Sequence, residues 1–307
     1  MIDFYNENLR ILNFTHIDFD GAVSAVVIKN YFKNVITEQT NYGREQEIIT
    51  KVNIHRGKYD AIIFTDFTPT EGGPGMLKNA IEEIAFVAGV PVMVLDHHES
   101  ALKYHDPQKN VYINIGYCGA MLAYKFFSVK KDLSHIKDLV GLANDYDLFT
   151  LKDPRAMPFN ALYWQMGFQW FMTRFGKGNT NLYPEEKQYL LEYKQAVQTT
   201  YDNLPVSDLP HNGCFYECER YMAEMSHRLS KDGYQYQIIK HGNALSIRSA
   251  TDNINLVEVC QYMGKGGGHR KAAGIPLRVE DDIKQLVQQI CFAVEHQLNT
   301  HKDGLPF

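Results

Sequence analysis

The stretch Val-Met-Val-Leu-Asp-His-His, residues 92–98, decides how the rest of the chain is interpreted. Four apolar residues run directly into one aspartate and two histidines. An apolar run of this length predicts a buried β-strand, and open α/β sheets place their ligand sites at the carboxyl ends of their strands. Because burying three titratable groups together is unfavourable unless something compensates them, we expect a bound metal ion beside Asp96, His97 and His98.

A second strand end with the same character lies near the amino terminus. Residues 10–14 (RILNF) predict a strand, and the chain then passes through His16, Asp18 and Asp20. In extended backbone this spacing of two puts all three side chains on one side. Asp20 taken alone has the position of a helix N-cap. Three such groups on one side of one strand end favour a metal site instead.

Strands and helices alternate along this part of the chain. Residues 21–32 predict a helix, residues 59–67 a strand that ends at Asp66, and residues 76–87 a further helix after a loop. This alternation is typical of βαβ units and predicts a parallel sheet. Parallel strands bring their carboxyl ends to one edge, so we expect one cluster there, made of His16, Asp18, Asp20, Asp66, Asp96, His97 and His98.

The end of this first region contains one further candidate acid. Residues 111–114 predict a short strand, and residues 119–127 and 133–144 predict helices. Asp145 follows the last of these and Asp147 is its neighbour. An acid in such a position is usually solvated, so Asp145 matters only if it reaches the cluster.

Composition excludes several classes of protein. The 307 residues suffice for two domains, and a net charge of −5 lacks the basic footprint of proteins that bind long duplexes. No stretch approaches the apolar length of a membrane span, and the amino terminus does not resemble a signal peptide. Five scattered cysteines indicate reduced thiols in the cytoplasm. Cys214 and Cys218 form the one close pair, which is a weak zinc candidate.

The middle of the chain is predicted to be helical. Residues 159–175 hold both tryptophans in an aromatic stretch, which we interpret as a helix or helix pair in the core, or else as a stacking wall for a nucleobase. Residues 183–203 predict another helix, and two prolines in residues 204–213 mark the boundary. The predicted domains are residues 1–182 and 214–307, with residues 183–213 as a helical linker.

The last region predicts a smaller α/β domain with a glycine-rich segment. Gly266, Gly267 and Gly268 precede His269 and Arg270. Glycines allow a backbone to approach an anion closely, although loop geometry alone also explains them. The predicted elements are helices at residues 217–230, 255–263 and 280–298, with strands at residues 235–240, 244–248 and 272–277.

These residues resemble the DHH phosphoesterases, a family that includes RecJ-type exonucleases, nano-RNases, pAp phosphatases, cyclic dinucleotide phosphodiesterases and family II pyrophosphatases. His16-x-Asp18-x-Asp20-Gly21 resembles the first motif, Asp66 the second, and Asp96-His97-His98 the motif that names the family. Asp145 stands for the fourth motif, with Asp147 as an open alternative. The resemblance covers about residues 10–150.

A second resemblance covers about residues 215–295. The glycine run and its following basic residues are similar to the loop of the DHH-associated domain, and Ser246-Ile247-Arg248-Ser249 is similar to its arginine-bearing strand. This resemblance implies that the second domain binds the substrate through Arg248, Ser249, Gly266, Gly267, Gly268, His269 and Arg270.

The resemblance implies two metal ions. One would be held by His16, Asp18 and Asp66, and the other by Asp20, Asp66, His97 and Asp145. Carboxylates with a few imidazoles suit Mn²⁺, with Mg²⁺ as the alternative. His98 would contact the phosphate or protonate the leaving oxygen, while Asp96 would orient an imidazole.

The expected activity is that of a two-metal phosphodiesterase or exonuclease acting on short single-stranded oligonucleotides or small nucleotides. Cyclic dinucleotide hydrolysis and pAp phosphatase activity are the alternatives. Pyrophosphatase activity is disfavoured by the spacing of the first motif, and a catalytically silent nucleotide-binding protein would have lost ligands. We expect no membrane partner, and a homodimer is one possible assembly.

Overall fold

The computed structural model describes residues 2–69 and 80–302. The chain divides into two compact units, Met1–Leu190 and Leu191–Phe307. The helix Pro184–Asp202 begins in the first unit and continues along the chain into the second. Among the described residues, no helix combines the length and the apolar character needed to cross a bilayer.

The first unit is built on a five-stranded, wholly parallel sheet in the order β2-β1-β3-β4-β5. This confirms the predicted α/β class. The predicted loop at residues 70–75 and the start of the predicted helix at residues 76–79 lie outside the described residues. The elements, in chain order, are β1 (Arg10–His16), α1 (Phe19–Tyr31), β2 (Asn34–Thr40), α2 (Glu45–Ile54), β3 (Ala61–Thr65), α3 (Ala80–Ala88), β4 (Val92–Asp96), β5 (Val111–Ile113), α4 (Gly119–Ser128), α5 (Lys137–Asp147), α6 (Ala156–Met166), α7 (Phe168–Phe175) and α8 (Pro184–Asp202).

Helices cover both faces of this sheet. On one face, Ile63 and Leu95 pack into a core with residues of α1, α4, α5, α6 and α7. On the other, Phe14 and Phe64 pack with residues of α2 and α3. Strands β3 and β4 are buried at every residue, which explains why they read as continuous apolar runs rather than as alternating ones.

Two elements of this unit were not predicted from the sequence. Strand β2 has the sequence NVITEQT and is an edge strand whose residues are mostly half-buried. Helix α2 follows it after a turn. Neither segment carries a long apolar run, because β2 lies at the edge of the sheet and α2 packs through few residues, among them Ile48 and Val52.

The aromatic stretch forms a helix pair, α6 and α7, that breaks at Gly167 with a φ of 79°. Phe159, Phe171 and Phe175 are fully buried, which confirms the core interpretation for these three rings. Trp164 differs from them, because it is 58% exposed.

The second unit contains a six-stranded mixed sheet in the order β10-β11-β9-β8-β7-β6, in which the β7–β8 pair is parallel. Helices α10 and α11 pack on one face with Ile238 and Ile247. Residues of α9 and Val197 of α8 pack on the other with Ile239. The elements are β6 (Ser207–Leu209), β7 (Gly213–Glu217), α9 (Met222–Lys231), β8 (Tyr236–His241), β9 (Ala244–Ser249), α10 (Leu256–Met263), β10 (Gly267–His269), β11 (Ala272–Pro276) and α11 (Ile283–Lys302).

Three segments of this unit differ from their predictions. The predicted linker contains β6, which pairs with β7. The predicted helix at residues 217–230 begins at Met222, because Glu217 ends β7. The glycine run is also not an open loop. Gly267 and Gly268 pair with β11 as one strand of a hairpin.

Candidate metal centre

In the first sheet, β2 lies on one side of β1 and the later strands lie on the other side. The polar side chains of the cluster lie at this change of direction. Strand β1 lies between β2 and β3, so the connection to β2 runs one way and the connection to β3 runs the other. In open α/β sheets such a switch point opens a crevice at the carboxyl ends of the strands. His16 ends β1, Asp66 follows β3, and Asp96 ends β4.

The side chains at this edge form overlapping groups whose ligand atoms lie within 4.8 Å of one another. His16, Asp18 and Asp66 make one group. A second consists of Asp20, His97 and Asp147, and a third of Asp66, Asp96, His97 and His98. The structure thus brings together all seven residues that the strand-end argument placed in one cluster.

Asp66 has the least ordinary environment of the cluster. It is 1% exposed, and neither carboxylate oxygen has a hydrogen-bond partner among the described residues. Its Oδ1 lies 3.2 Å from Nε2 of His97, and its Oδ2 lies 3.9 Å from Nδ1 of His16. A buried carboxylate without donors is strongly unfavourable, so these oxygens fit a bound cation. The set of carboxylates and imidazoles, without thiolate, fits Mn²⁺ or Mg²⁺.

Burial and mutual repulsion raise the pKa values of three carboxyl groups of the cluster. Burial and the charge of Asp147 raise the pKa of Asp20 to about 6. Burial and the charge of Asp18 raise the pKa of Asp147 to about 7. Burial, followed by the charges of Asp20 and Asp18, also raises the pKa of Asp66. A divalent cation among these carboxyl groups would offset their mutual repulsion.

Asp96 holds His98 in place. Its Oδ2 accepts a hydrogen bond from Thr68 Oγ1 at 2.6 Å, and its Oδ1 lies 2.8 Å from Nδ1 of His98. Oδ1 also accepts a hydrogen bond from the backbone N–H of His97 at 2.7 Å. Burial opposes the charged imidazole of His98, but the charge and hydrogen bond of Asp96 outweigh it and raise the pKa of His98 to about 9. By contrast, burial lowers the pKa of His97.

Asp18, rather than Asp20, is the N-cap of α1, because its carboxylate accepts a hydrogen bond from the backbone N–H of Gly21 at 2.9 Å. Asp20 instead faces the start of α4. Its Oδ2 accepts from the N–H of Gly119 at 2.6 Å, and its Oδ1 accepts from that of Ala120 at 2.9 Å. The backbone N–H groups at the N-terminus of α4 therefore hold the Asp20 carboxylate in place.

The structure does not bring Asp145 into the cluster. Its carboxylate accepts hydrogen bonds from Thr150 Oγ1 and from the backbone N–H groups of Lys152 at 3.0 Å and Asp153 at 2.7 Å. Asp147 takes the predicted place, with Oδ2 at 3.4 Å from Nε2 of His97. Residues two apart on a helix point in nearly opposite directions, so one of the two acids had to face away. Asp147, the alternative that the sequence left open, therefore lies in the cluster, and Asp145 does not.

Three residues near the cluster were missed in the sequence. Asn41 Oδ1 lies 3.2 Å from Nε2 of His16, and Tyr42 packs beside His16 and His98. Gly119 lies so close to Asp66 that a Cβ would stand 2.5 Å from that of Asp66. Two features of the sequence could have pointed to these residues. Gly119 is the first residue of a predicted helix, and the β-branched stretch VIT before Asn41 is typical of a strand.

The predicted substrate-binding residues all lie in the second unit, on or beside strands β9 and β10, which flank β11. Arg248 of β9 pairs with Ala272 of β11, and His269 of β10 pairs with the same residue from the other side. Ser249 Oγ donates to the carbonyl of Thr251 at 2.8 Å, and the guanidinium of Arg270 donates to the carbonyl of Asp252 at 2.9 Å.

Close packing explains two of the three glycines of the run. A Cβ at Gly266 would stand 2.4 Å from the carbonyl oxygen of Gly274, and one at Gly268 would stand 2.4 Å from that of Ala272. Gly267 has open space at the corresponding position. The hairpin therefore requires Gly266 and Gly268 for its own geometry, whatever it binds.

Residues 10–144 match the DHH family, N-terminal domain. The matched range contains every cluster residue except Asp147.

The chain is similar to a known protein in sequence and to solved structures in fold. A 3',5'-cyclic-nucleotide phosphodiesterase from Helicobacter pylori is 24% identical over 153 residues, which are 46% of this chain and 44% of that protein. RecJ from Thermus thermophilus, solved in complex with Mn²⁺, has a TM-score of 0.54 at 14% identity, covering 98% of this chain and 53% of RecJ. The pGpG-specific phosphodiesterase PggH from Vibrio cholerae has a TM-score of 0.53 at 14% identity, covering 94% of this chain and 99% of PggH.

Proposed function

We propose that this chain is a divalent-metal-dependent phosphodiesterase that acts on short single-stranded oligonucleotides or small nucleotides. The single observation that carries the proposal is the buried carboxylate of Asp66, without hydrogen-bond partners among the described residues and flanked by histidines and aspartates on both sides. The names of relatives, two of them phosphodiesterases, support the reaction class.

The residues fit two cation positions that have Asp66 in common. His16, Asp18 and Asp66 would hold one ion, and Asp20, His97 and Asp147 the other. Asp66 would also serve the second ion, because its Oδ1 lies 3.2 Å from Nε2 of His97. The proposed metal is Mn²⁺, with Mg²⁺ as the alternative. Paired divalent ions of this kind supply a nucleophilic hydroxide and stabilise the attacking and leaving oxygens of an in-line displacement at phosphorus.

In this proposal, Asp96 orients the imidazole of His98, and His98 supplies a proton. Asp96 fixes Nδ1 of His98, so proton exchange with a substrate would use Nε2. A histidine that stays protonated at neutral pH can donate that proton to a leaving oxygen or bind a phosphoryl oxygen. The short distances between Asp96 and its donors indicate that the His98 ring is held before a substrate binds.

The substrate is proposed to be bound in part by residues of the second unit. Arg248, His269 and Arg270 offer cationic or N–H donors of the kind that bind phosphate, and a Cβ at Gly267 would meet no atom within 4 Å. We propose that these residues and Ser249 bind a phosphate or sugar of the substrate, while Gly266 and Gly268 shape the hairpin.

The activity is tested with the purified protein and Mn²⁺ on a dinucleotide, a 5-mer, pAp, a cyclic dinucleotide and pyrophosphate. We expect hydrolysis of the dinucleotide or 5-mer. Preferential turnover of the cyclic dinucleotide or of pAp would shift the assignment to that branch of the family. Absence of turnover on every substrate would favour a nucleotide-binding protein without catalysis.

Two variants separate the roles of the adjacent histidines. His97→Ala removes a proposed ligand, so we expect Mn²⁺ binding and turnover to be lost together. His98→Ala removes a proton donor and not a ligand, so Mn²⁺ binding should persist while kcat falls by roughly 10²–10⁴-fold. Calorimetric titration with Mn²⁺ and steady-state kinetics measure the two effects. The assignment is wrong if the two variants behave in the reverse way.

A further inference from the structure

The two ring nitrogens of His16 have different neighbours. Nδ1 lies 2.8 Å from Oδ2 of Asp18 and 3.9 Å from Oδ2 of Asp66. These three residues form one of the groups that could hold a cation. Nε2 instead lies 3.2 Å from Oδ1 of Asn41. The nitrogen of His16 that would bind a cation beside the two carboxylates is therefore Nδ1.

The backbone that follows Asn41 fixes the orientation of its side-chain amide. Oδ1 accepts a hydrogen bond from the N–H of Tyr42 at 2.8 Å, and only the oxygen of an amide side chain can accept such a bond. The atom of Asn41 that lies beside Nε2 of His16 is therefore an acceptor. Asn41 follows Thr40, the last residue of β2, which pairs with His16 in the sheet. The register of β1 and β2 thus holds the amide beside the imidazole.

An acceptor beside Nε2 suits a histidine that binds a cation through Nδ1. The cation takes the lone pair of Nδ1, so the one proton of the neutral ring lies on Nε2. Histidine ligands generally donate this second N–H to an oxygen, which holds the ring in the orientation that the metal needs. Oδ1 of Asn41 is within hydrogen-bond distance of Nε2.

We propose that Asn41 is a positioning residue of the metal centre, whose side-chain carbonyl accepts the Nε2–H of His16 and so holds Nδ1 towards the cation. Both residues are half-buried, so water competes less for this N–H than at an exposed position. The inference rests on the proposed function, of which the cation site is part. It adds a residue outside the ligand set that determines how His16 binds the metal.

The hydrogen bond from Tyr42 would also give Asn41 a purely local role, which is to hold the turn after β2. In that role Asn41 would contribute to the stability of the fold and not to the affinity for metal. A local role also needs no acceptor within reach of His16. Metal affinity and melting temperature, measured on the same variants, therefore separate the two roles.

The first test compares Asn41→Leu with Asn41→Asp by calorimetric titration with Mn²⁺. Leucine has a similar size but no acceptor, so we expect the affinity for Mn²⁺ to fall roughly 10–100-fold, as for loss of an outer-shell partner. Aspartate keeps an oxygen in the place of Oδ1, so Asn41→Asp should bind Mn²⁺ at least as tightly as the wild type. Loss of affinity in Asn41→Asp as well would contradict the role of the acceptor.

The second test observes the Nε2–H group itself. It uses nuclear magnetic resonance of the Mg²⁺-loaded protein with isotope-labelled histidine, and His16→Gln assigns the signal. In the wild type, the hydrogen bond to Asn41 should protect this proton from exchange with water. In Asn41→Leu the signal should broaden, because exchange becomes faster. An equally sharp signal in this variant would show that Asn41 does not accept the proton's hydrogen bond.

Asn6→Leu is the matched control. Oδ1 of Asn6 accepts a hydrogen bond from the backbone N–H of Asn8 at 3.1 Å. This turn precedes β1, whereas His16 is the last residue of that strand. The control variant loses the same kind of turn-holding bond, so its melting temperature should fall while its Mn²⁺ affinity and its His16 signal stay at wild-type values.

The outcomes separate this inference from the proposed function. An active wild type whose Mn²⁺ affinity is unchanged by Asn41→Leu overturns the role of Asn41 and leaves the activity standing. Equal losses of affinity in Asn41→Leu and Asn6→Leu overturn it too. A wild type that binds Mn²⁺ but cleaves none of the phosphoesters overturns the proposed function. In that case, weaker Mn²⁺ binding by Asn41→Leu alone would still support the contact, and unchanged binding would overturn it.

Discussion

Asp66 occupies a backbone conformation that few aspartates adopt. Its φ is 55°, in the left-handed region, where a non-glycine residue is held only if its surroundings fix it. The backbone N–H of Asp66 donates to the carbonyl of Leu95 on the neighbouring strand at 2.9 Å. This bond extends the ladder one residue beyond β3, and the turn then directs the carboxylate between His16 and His97.

Asp145 and Asp147 have opposite roles, so their asparagine variants should have opposite effects. At about pH 8, above the raised pKa of Asp147, Asp147→Asn removes a repelling charge from the cluster, so the metal-free protein should melt at a slightly higher temperature. Its Mn²⁺ affinity should fall by more than the roughly 10–100-fold typical of an outer-shell partner. Asp145→Asn places an NH₂ against backbone N–H donors, so unfolding should become easier by about 1–3 kcal/mol, with a smaller change in Mn²⁺ affinity.

Thermal melts with and without chelator, together with Mn²⁺ titrations, measure both effects. Loss of metal binding in Asp145→Asn alone would contradict the assignment of Asp147. The pattern of the sequence could not make this choice, because it depends on the rotation of α5 about its axis. The last turn of that helix is fixed by contacts to residues 150–153.

At the scale of the helices and strands, the start of α4 contacts two residues of the candidate metal centre, Asp20 and Asp66. Its first N–H groups bind Asp20, and Gly119 lies against Asp66. A Cβ at this position would stand 2.8 Å from the Cα of Asp66, so backbone would have to move. The close approach of α4 to β3 therefore requires a residue without a side chain.

Gly119→Ala should displace Asp66, and we expect weaker Mn²⁺ binding together with a lower melting temperature. Gly141→Ala is the matched control, because a Cβ at Gly141 in α5 meets no atom within 4 Å. Exchange of glycine for alanine inside a helix stabilises it by about 1 kcal/mol, so the control should melt at a higher temperature with unchanged Mn²⁺ affinity. A Gly119→Ala protein with wild-type metal affinity would show that the helix can shift without disturbing Asp66.

The sequence allowed prediction of the elements whose side chains are buried on both faces. Strands β3 and β4 are continuous apolar runs, and this pattern predicted the parallel sheet and its acidic edge. Strands β2 and β6 lie at sheet edges and mix polar with apolar residues, so their sequences carried no comparable signal. Tyr42 was missed for this reason, because its place at the centre depends on β2.

For the molecule as a whole, charge within the centre links metal binding to stability. The pKa values of Asp20 and Asp147 in the folded, metal-free protein are raised to about 6 and about 7 from 3.8, so between about pH 4 and pH 7 these groups bind more protons in the folded state than in the unfolded chain. Because the folded state then binds more protons than the unfolded chain, the free energy of unfolding falls as the pH rises through this range. The raised pKa of His98 acts in the same direction at higher pH.

We therefore expect the chelated protein to melt at a higher temperature at about pH 5.5 than at about pH 8, since these two pH values lie below and above the raised pKa values of Asp20 and Asp147. Saturation with Mn²⁺ at pH 8 should raise the melting temperature and reduce the dependence on pH, since the cations replace the protons. Melting curves across this window, with and without chelator, measure the effect. The Asp147→Asn variant should show a weaker dependence, and a metal-free protein that becomes more stable as the pH rises would contradict the argument.

The packing of α6 and α7 affects when, during synthesis, the first unit can reach its folded structure. All proposed ligands have been synthesised by residue 147, but the core that supports α1 also needs Phe159, Phe171 and Phe175. The hydroxyl of Tyr163 in α6 additionally donates to the carbonyl of Ile17, between two proposed ligands. A nascent chain therefore carries a complete set of ligands before it has the packing to hold them in place, and the centre gains its fixed geometry only when the later helices dock.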